Sequence, residues 1–211
     1  WRSAVDQFSI KDGKIDDLRK AGFAIVQIVP DGGMLAGKTA VMLLGNGHST
    51  NLLLENTALA ANFRGSRGMY PGTAVGVMAK FREIYDNAKL TSLREQKYTT
   101  VSGLKRPEIT PTYSAMEEVI RGQIPVMFSA SSELEIRRAI SLQKEKGFKL
   151  ILTDLEEYEG VLDVLKTSGV GVLVKLQIPD DKAIKAQKED ATDEVKLLNA
   201  KVKEAYDKAL A

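Results

Sequence analysis

The sequence predicts an α/β fold in which parallel strands alternate with helices, and three observations predict it. Ile124–Ala130 (IPVMFSA), Lys149–Thr153 (KLILT) and Gly169–Val174 (GVGVLV) are apolar almost throughout, as strands covered on both faces are. Between them lie stretches of about 10–15 residues with apolar positions at helical spacing, the pattern of βαβ units. The chain of 211 residues is 44% hydrophobic and 27% charged, a globular composition with enough length for one domain and a proper core.

Taken in order, Lys14–Phe23 reads as a short helix, with Ile15, Leu18 and Ala21 on one face and Gly22 closing it. Ala24–Val29 reads as a strand ended by Pro30 and a glycine turn. Thr39–Gly45 is a second apolar run, and Asn51–Glu55 a third short strand. Arg64–Gly72 is a glycine-rich loop. The stretch from Thr73 to about Leu93 is helical, with Val77, Phe81, Ile84 and Ala88 on one side. Gly103–Pro111 is an extended connector and Tyr113–Ile120 a short helix. Glu133–Gly147 is a helix with Ile136, Ala139 and Ile140 inward and Gly147 as its C-cap. Glu156–Thr167 is the next helix. A charged amphipathic helix is expected within 180–211, carried by Val195, Leu198, Val202 and Ala205. One α/β domain over 1–211 is the expected organisation.

Composition narrows function. Thirty basic side chains against 28 acidic ones give a net charge of +2, no excess that would draw nucleic acid or anionic lipid. No apolar run approaches the roughly 20 residues that cross a bilayer, so no membrane partner is expected. The chain has no cysteine and one histidine, His48, so a tetrahedral zinc site built from it alone is disfavoured. His48 sits in GNGHS, a turn between apolar runs, and reads as an exposed loop residue. Phe63, Arg64, Arg67 and Tyr70 interleave aromatics with cations, which suits RNA contact, but a single loop in a nearly neutral chain reads better as solvated. The chain opens on Trp1 with no signal-like segment and reads as part of a longer protein. No pattern assigns a compartment.

Gly32, Gly37, Lys38 and Thr39 match the phosphate-loop spelling G-x-x-x-x-G-K-[ST]. That motif works only when a helix follows, so that helix N-terminal N–H groups and the loop converge on phosphate. Here AVMLL is uniformly apolar and stops at GNG, so an extended Thr39–Leu44 after a glycine turn is expected. A nucleotide-binding protein is kept as the weaker alternative.

Three stretches, LRKAGFAIVQIVPDGGMLAGKTAVMLLG, YPGTAVGVMAKFREIYDNA and IPVMFSASSELEIRRAISLQKEKGFKLILTDLEE, resemble the amidohydrolase superfamily, in the branch of imidazolonepropionase and related amidohydrolases. The similarity runs over about Ile15–Ile178. It implies a (β/α)8 TIM-type barrel, of which this chain would be a partial, central piece. It also implies metal-dependent hydrolysis of C–N bonds in cyclic or linear amides at the C-terminal ends of the strands. The family's H-x-H strand would precede Trp1, and its catalytic aspartate would follow Ala211. Ser129 stands where the family has the histidine of PV-x-x-HA, and Thr153 with Asp154 where the next strand ends in a second histidine. The resemblance therefore implies that this segment alone binds no cofactor and is inactive, while the intact protein holds zinc or another divalent metal and acts on a small-molecule substrate. The alternative is a non-catalytic binding or structural module. Ser129, Thr153 and Asp154 are the candidate pocket positions; residues of these types also cap helices or bond loop backbone. A barrel cut open exposes two edges, expected at AIVQIV or its neighbour and at GVGVLV. They predict a homo-oligomer unless the stretch before Lys14 or the terminal helix covers an edge.

Overall fold

Two sheets organise the described residues. The computed structural model describes residues 3–7, 13–45, 51–65, 68, 70–108 and 110–174. These lie in the unit Trp1–Val174; the unit Lys175–Ala211, and with it the expected terminal helix, lies outside the described residues. The elements are α1 (Ala4–Gln7), α2 (Gly13–Lys20), β1 (Ile25–Ile28), β2 (Leu35–Lys38), β3 (Ala40–Leu43), β4 (Leu52–Leu54), β5 (Leu59–Asn62), α3 (Ala74–Thr100), α4 (Pro111–Ile120), β6 (Val126–Ser129), α5 (Glu133–Lys146), β7 (Leu150–Thr153), α6 (Leu162–Ser168) and β8 (Gly171–Val172).

The larger sheet has the order β2-β5-β6-β7-β8. Its last four strands are parallel, and β2 joins β5 antiparallel with a bulge between Leu35 and Gly37. The architecture is thus mixed α/β with parallel strands and helices, as expected, though the described sheet is open. The smaller sheet, β1-β3-β4, is antiparallel. Of the expected edge, AIVQIV or its neighbour, AIVQIV lies in this second sheet and its neighbour β2 forms the edge of the parallel one. Ile25 is 52% exposed and the burial of β1 alternates, so the run has one wet face, which antiparallel strands tolerate and covered parallel strands do not.

The two sheets are joined by one extended run, β2 into β3, that changes sheet at Thr39. The Thr39 backbone N–H donates to Ala58 O at 2.9 Å, and Thr57 N–H donates back to Thr39 O at 2.9 Å. The buried Thr39 hydroxyl shares a 2.7 Å hydrogen bond with that of Thr57 and accepts one from Gln27 Nε2 at 3.1 Å. A buried hydroxyl at a sheet junction is thereby satisfied.

Helices cover one face of the parallel sheet. Leu59, Ala61, Val126, Phe128, Leu150 and Leu152 project into a single core with Val77, Phe81 and Ile84 of α3, Met116 and Val119 of α4, and Ile136, Ala139 and Ile140 of α5; Val164 and Leu165 of α6 pack against the same cluster. Phe63 and Phe81 flank Phe128 at 4.5 and 6.2 Å between ring centroids, and Phe81 meets Phe148 at 5.4 Å. Crossovers of one hand between sequential parallel strands put their helices on the same side, as is seen for α3 to α6.

Local chemistry fixes the helix ends. Thr73 caps α3 by accepting the Gly76 N–H at 3.2 Å, and Ser132 caps α5 by accepting the Glu135 N–H at 3.4 Å. Gly147 ends α5 at φ 79°, a left-handed conformation suited to glycine. Arg82 pairs with Glu145 at 2.7 Å and Lys146 with Asp86 at 2.8 Å, so α3 and α5 are clamped side by side. The helix expected over Glu156–Thr167 starts later, as a 3-10 turn at Glu159–Val161 running into α6.

One expected sheet edge is found. β8 ends the described sheet, with Leu173 48% and Val174 72% exposed beside it. The opposite edge is β2, and there Ser3 forms a parallel bridge with Lys38 while Ala4 is fully buried. The stretch before Lys14 therefore covers part of that edge.

Candidate functional site

In the parallel sheet, Asn62 lies beside Ser129 and Ser129 beside Thr153, each the last residue of its strand. Side chains at one register position share a face, and the face of this row is the one opposite the helices, shared two residues earlier by Ala60, Met127 and Ile151. The structure thus brings two expected positions, Ser129 and Thr153, together with an unexpected third, Asn62. All three are half-buried.

Each side chain has a defined setting. Asn62 Nδ2 donates to Gly33 O at 2.8 Å, and its Oδ1 accepts the Arg64 N–H at 2.7 Å, so this amide holds the Gly32–Gly33 turn against the strand end. Gly32 and Gly33 adopt φ of 110° and 68°, which a turn this tight demands of glycine. Thr153 Oγ1 donates to Asp154 Oδ2 at 3.1 Å. Asp154 is exposed and takes φ 59°, a left-handed conformation that aspartate adopts more readily than most residues and that is enriched at functional sites. The Ser129 hydroxyl has no hydrogen-bond partner among the described residues. Capping of α5 falls to Ser132, and Ser131 turns to Glu135, its N–H and hydroxyl reaching Oε2 at 2.9 and 3.1 Å.

The loop after β7 is tied to the loop after β6. Ser131 O accepts the N–H groups of Glu156 and Glu157 at 3.2 and 2.9 Å, and Glu133 Oε1 accepts the Gly160 N–H at 2.9 Å. Between the loops lies an acidic cleft of about 360 Å³ lined by Glu133, Glu156, Glu157, Tyr158 and Glu159. No trio of histidine, cysteine or acidic residues among the described residues is placed to hold a metal ion.

The other candidate residues go elsewhere. Lys38 ends β2 and pairs with Glu118 at 2.7 Å, its side chain 11% exposed; a strand, not a helix, follows Thr39. The N–H fan of a phosphate loop is not what this segment forms. Phe63 is core, 5% exposed, whereas Tyr70 is 74% exposed. His48 and Arg67 lie outside the described residues.

Asn62 escaped the sequence reading because β5 did. Its residues, LAAN, are small and poor in β-branched types, and only the polar residue closing the run ALAAN marked a strand end.

No family model matches the sequence, and no curated protein does. Among solved structures, the crystal structure of an amidohydrolase from Thermotoga maritima MSB8 is similar at a TM-score of 0.74 and 22% identity, over 81% of this chain and 47% of that one. This chain spans about half the length of that structure. At this level of identity the likeness is one of architecture: the chain shares the α/β fold of the part of that structure it matches.

Proposed function

We propose that this chain is the central part of an amidohydrolase-type (β/α)8 barrel, and that the full protein hydrolyses C–N bonds of a cyclic or linear amide at the C-terminal ends of its strands. The substrate class nearest the sequence resemblance is a cyclic amide of the imidazolonepropionase kind. The observation that carries this reading is the row Asn62–Ser129–Thr153, on the face away from the helices. In a barrel that face is the interior, and its strand ends form the mouth where ligands bind.

The row can bind and orient an amide. The Ser129 hydroxyl, unengaged among the described residues, can donate to a substrate carbonyl or accept from its N–H. Asp154 accepts the Thr153 proton, which leaves the lone pairs of the Thr153 oxygen for a substrate N–H. Asn62 has both ends of its amide engaged and acts by holding the glycine turn. Zinc does not fit these residues: an amide, two hydroxyls and one carboxylate offer hard oxygen donors and no imidazole. Water activation is therefore assigned to no residue of this row.

A second reading has its own support. Hydroxyls at 129 and 153, where the resemblance expects imidazoles, suit a binding module that no longer hydrolyses. Turnover of a cyclic amide by the full-length protein, abolished by a chelator and restored by zinc, supports the hydrolase. Saturable binding of the same amide without turnover supports the module. Binding unchanged by Ser129→Val with Thr153→Val refutes both.

A further inference from the structure

The long helix α3 outlasts the core it covers. Its buried residues end at Ala88, and the 12 residues from there to Thr100 add about 18 Å of helix with none buried. Along this extension the face toward α4 is occupied by Thr91, Ser92 and Glu95, which line a narrow gap with Tyr113 and Glu117. The opposite face carries Leu90 and Leu93, 45% and 50% exposed; Val101, the extended C-cap residue, and Leu104 follow at 51% and 46%. Over the same stretch lie Lys89, Arg94, Lys97, Lys105 and Arg106, against a single acid, Glu95. This apolar stripe, part helix and part extended chain, is set among cations and has no partner among the described residues.

The charge pattern chooses what covers it. Two such stripes laid together would oppose Arg94 and Lys97 to their own copies, so like charge disfavours a symmetric α3–α3 contact. The chain offers the complement at its other end. After β7, Glu157, Glu159 and Asp163 are exposed together with Tyr158 and Leu162, 41% and 42% exposed, beside the acidic cleft. Because α3 starts at the strand end where β5 stops and its crossover returns to the start of β6, its free half lies toward the N-terminal ends of the strands; the acidic surface lies at the C-terminal ends.

We propose that the basic, apolar end of α3 docks a second copy of this chain, seating on the acidic surface at Glu157–Asp163 of that copy. Leu93, Val101 and Leu104 meet Tyr158 and Leu162, while Lys97, Lys105 and Arg106 face Glu157 and Glu159. The contact joins unlike surfaces, so it is heterologous and propagates head to tail rather than closing as a two-fold dimer. It holds whether or not the full protein is a hydrolase.

The test uses the full 211-residue chain in sedimentation velocity at high micromolar concentration. The wild type is expected to associate in about 0.05 M salt and to weaken about tenfold or more in about 0.5 M, as screening shortens the reach of exposed charges. A tip variant, Lys97→Glu with Lys105→Glu and Arg106→Glu, and a cleft variant, Glu157→Lys with Glu159→Lys, are each expected to be monomeric with wild-type circular dichroism. Mixed, they set the intact tip against the intact cleft and the reversed tip against the reversed cleft, so association is expected to return. A monomeric wild type overturns the proposal, as does a mixture that stays monomeric. Association that survives high salt and both sets of reversals also overturns it and assigns the contact to an uncharged surface such as the β8 edge. A wild type that stays monomeric and floats with phosphatidylserine vesicles overturns it in favour of a lipid surface.

Discussion

Removing the two partners of the Lys38–Glu118 pair one at a time should give unequal losses of stability. The pair spans β2 and α4 at 2.7 Å, with side-chain exposures of 11% for Lys38 and 32% for Glu118. Glu118→Ala strands a nearly buried ammonium, for which the full cost of breaking a buried pair is about 3–5 kcal/mol. Glu118 is a third exposed and water reaches its vacated place, so the expected loss is about 1–3 kcal/mol. Lys38→Met removes the buried charge, keeps the apolar stem, and leaves Glu118 free to turn to solvent; its expected cost is about 1 kcal/mol or less. Urea unfolding at neutral pH measures both, with slopes checked for equality so that midpoints compare like with like. A Lys38→Met loss equal to or larger than that of Glu118→Ala would refute the reasoning. So would wild-type stabilisation by Mg-ATP that Lys38→Met abolishes, because Lys38 would then be a phosphate ligand.

Phe128→Ala should cost about 3–5 kcal/mol in the same assay, since Phe128 is fully buried between Phe63 and Phe81 and its loss opens a cavity at the centre of the core. The α3–α5 clamp should shape the pH profile at both ends. Hydrogen bonding to Asp86 holds Lys146 above its ordinary value of 10.5, so its contribution is complete below the unfolded value and fades as pH rises through the higher folded one; Lys146→Met should flatten that alkaline limb. Hydrogen bonding to Arg82 holds Glu145 below its ordinary value of 4.5, so its contribution is complete above that value and fades as pH falls through the lower folded one. Glu145→Gln should flatten the acid limb by a small amount, because the carboxylate is exposed.

The second half of the fold was legible because each of its elements carries its own signal. β6 and β7 are apolar without interruption, and α5 has an apolar face, a serine cap and a closing glycine. The first half was harder, since period and composition there mislead. The run AIVQIV spells a buried strand yet leaves Ile25 and Val29 in water, and β5, which pairs with both β2 and β6, is built on alanine. The site followed the same division. Ser129 and Thr153 could be placed as strand ends, whereas Asn62 depended on a strand that propensity hides. Lys38 and Glu118 are 80 residues apart, and nothing local to either announces the other.

Because the chain has no cysteine, single thiols can report which side of a strand end a reagent reaches. Thr153→Cys and Leu152→Cys, adjacent residues of β7, should differ sharply in labelling by a maleimide. Leu152 is fully buried under the helices and should react only through unfolding, about a hundredfold or more slower than the half-buried Thr153 at the strand end on the other face. In the full-length protein a saturating cyclic amide should slow labelling of Thr153→Cys and leave Leu152→Cys unchanged. Equal labelling of the two thiols, or no protection of Thr153→Cys by an amide that binds, would contradict a ligand site at the C-terminal strand ends.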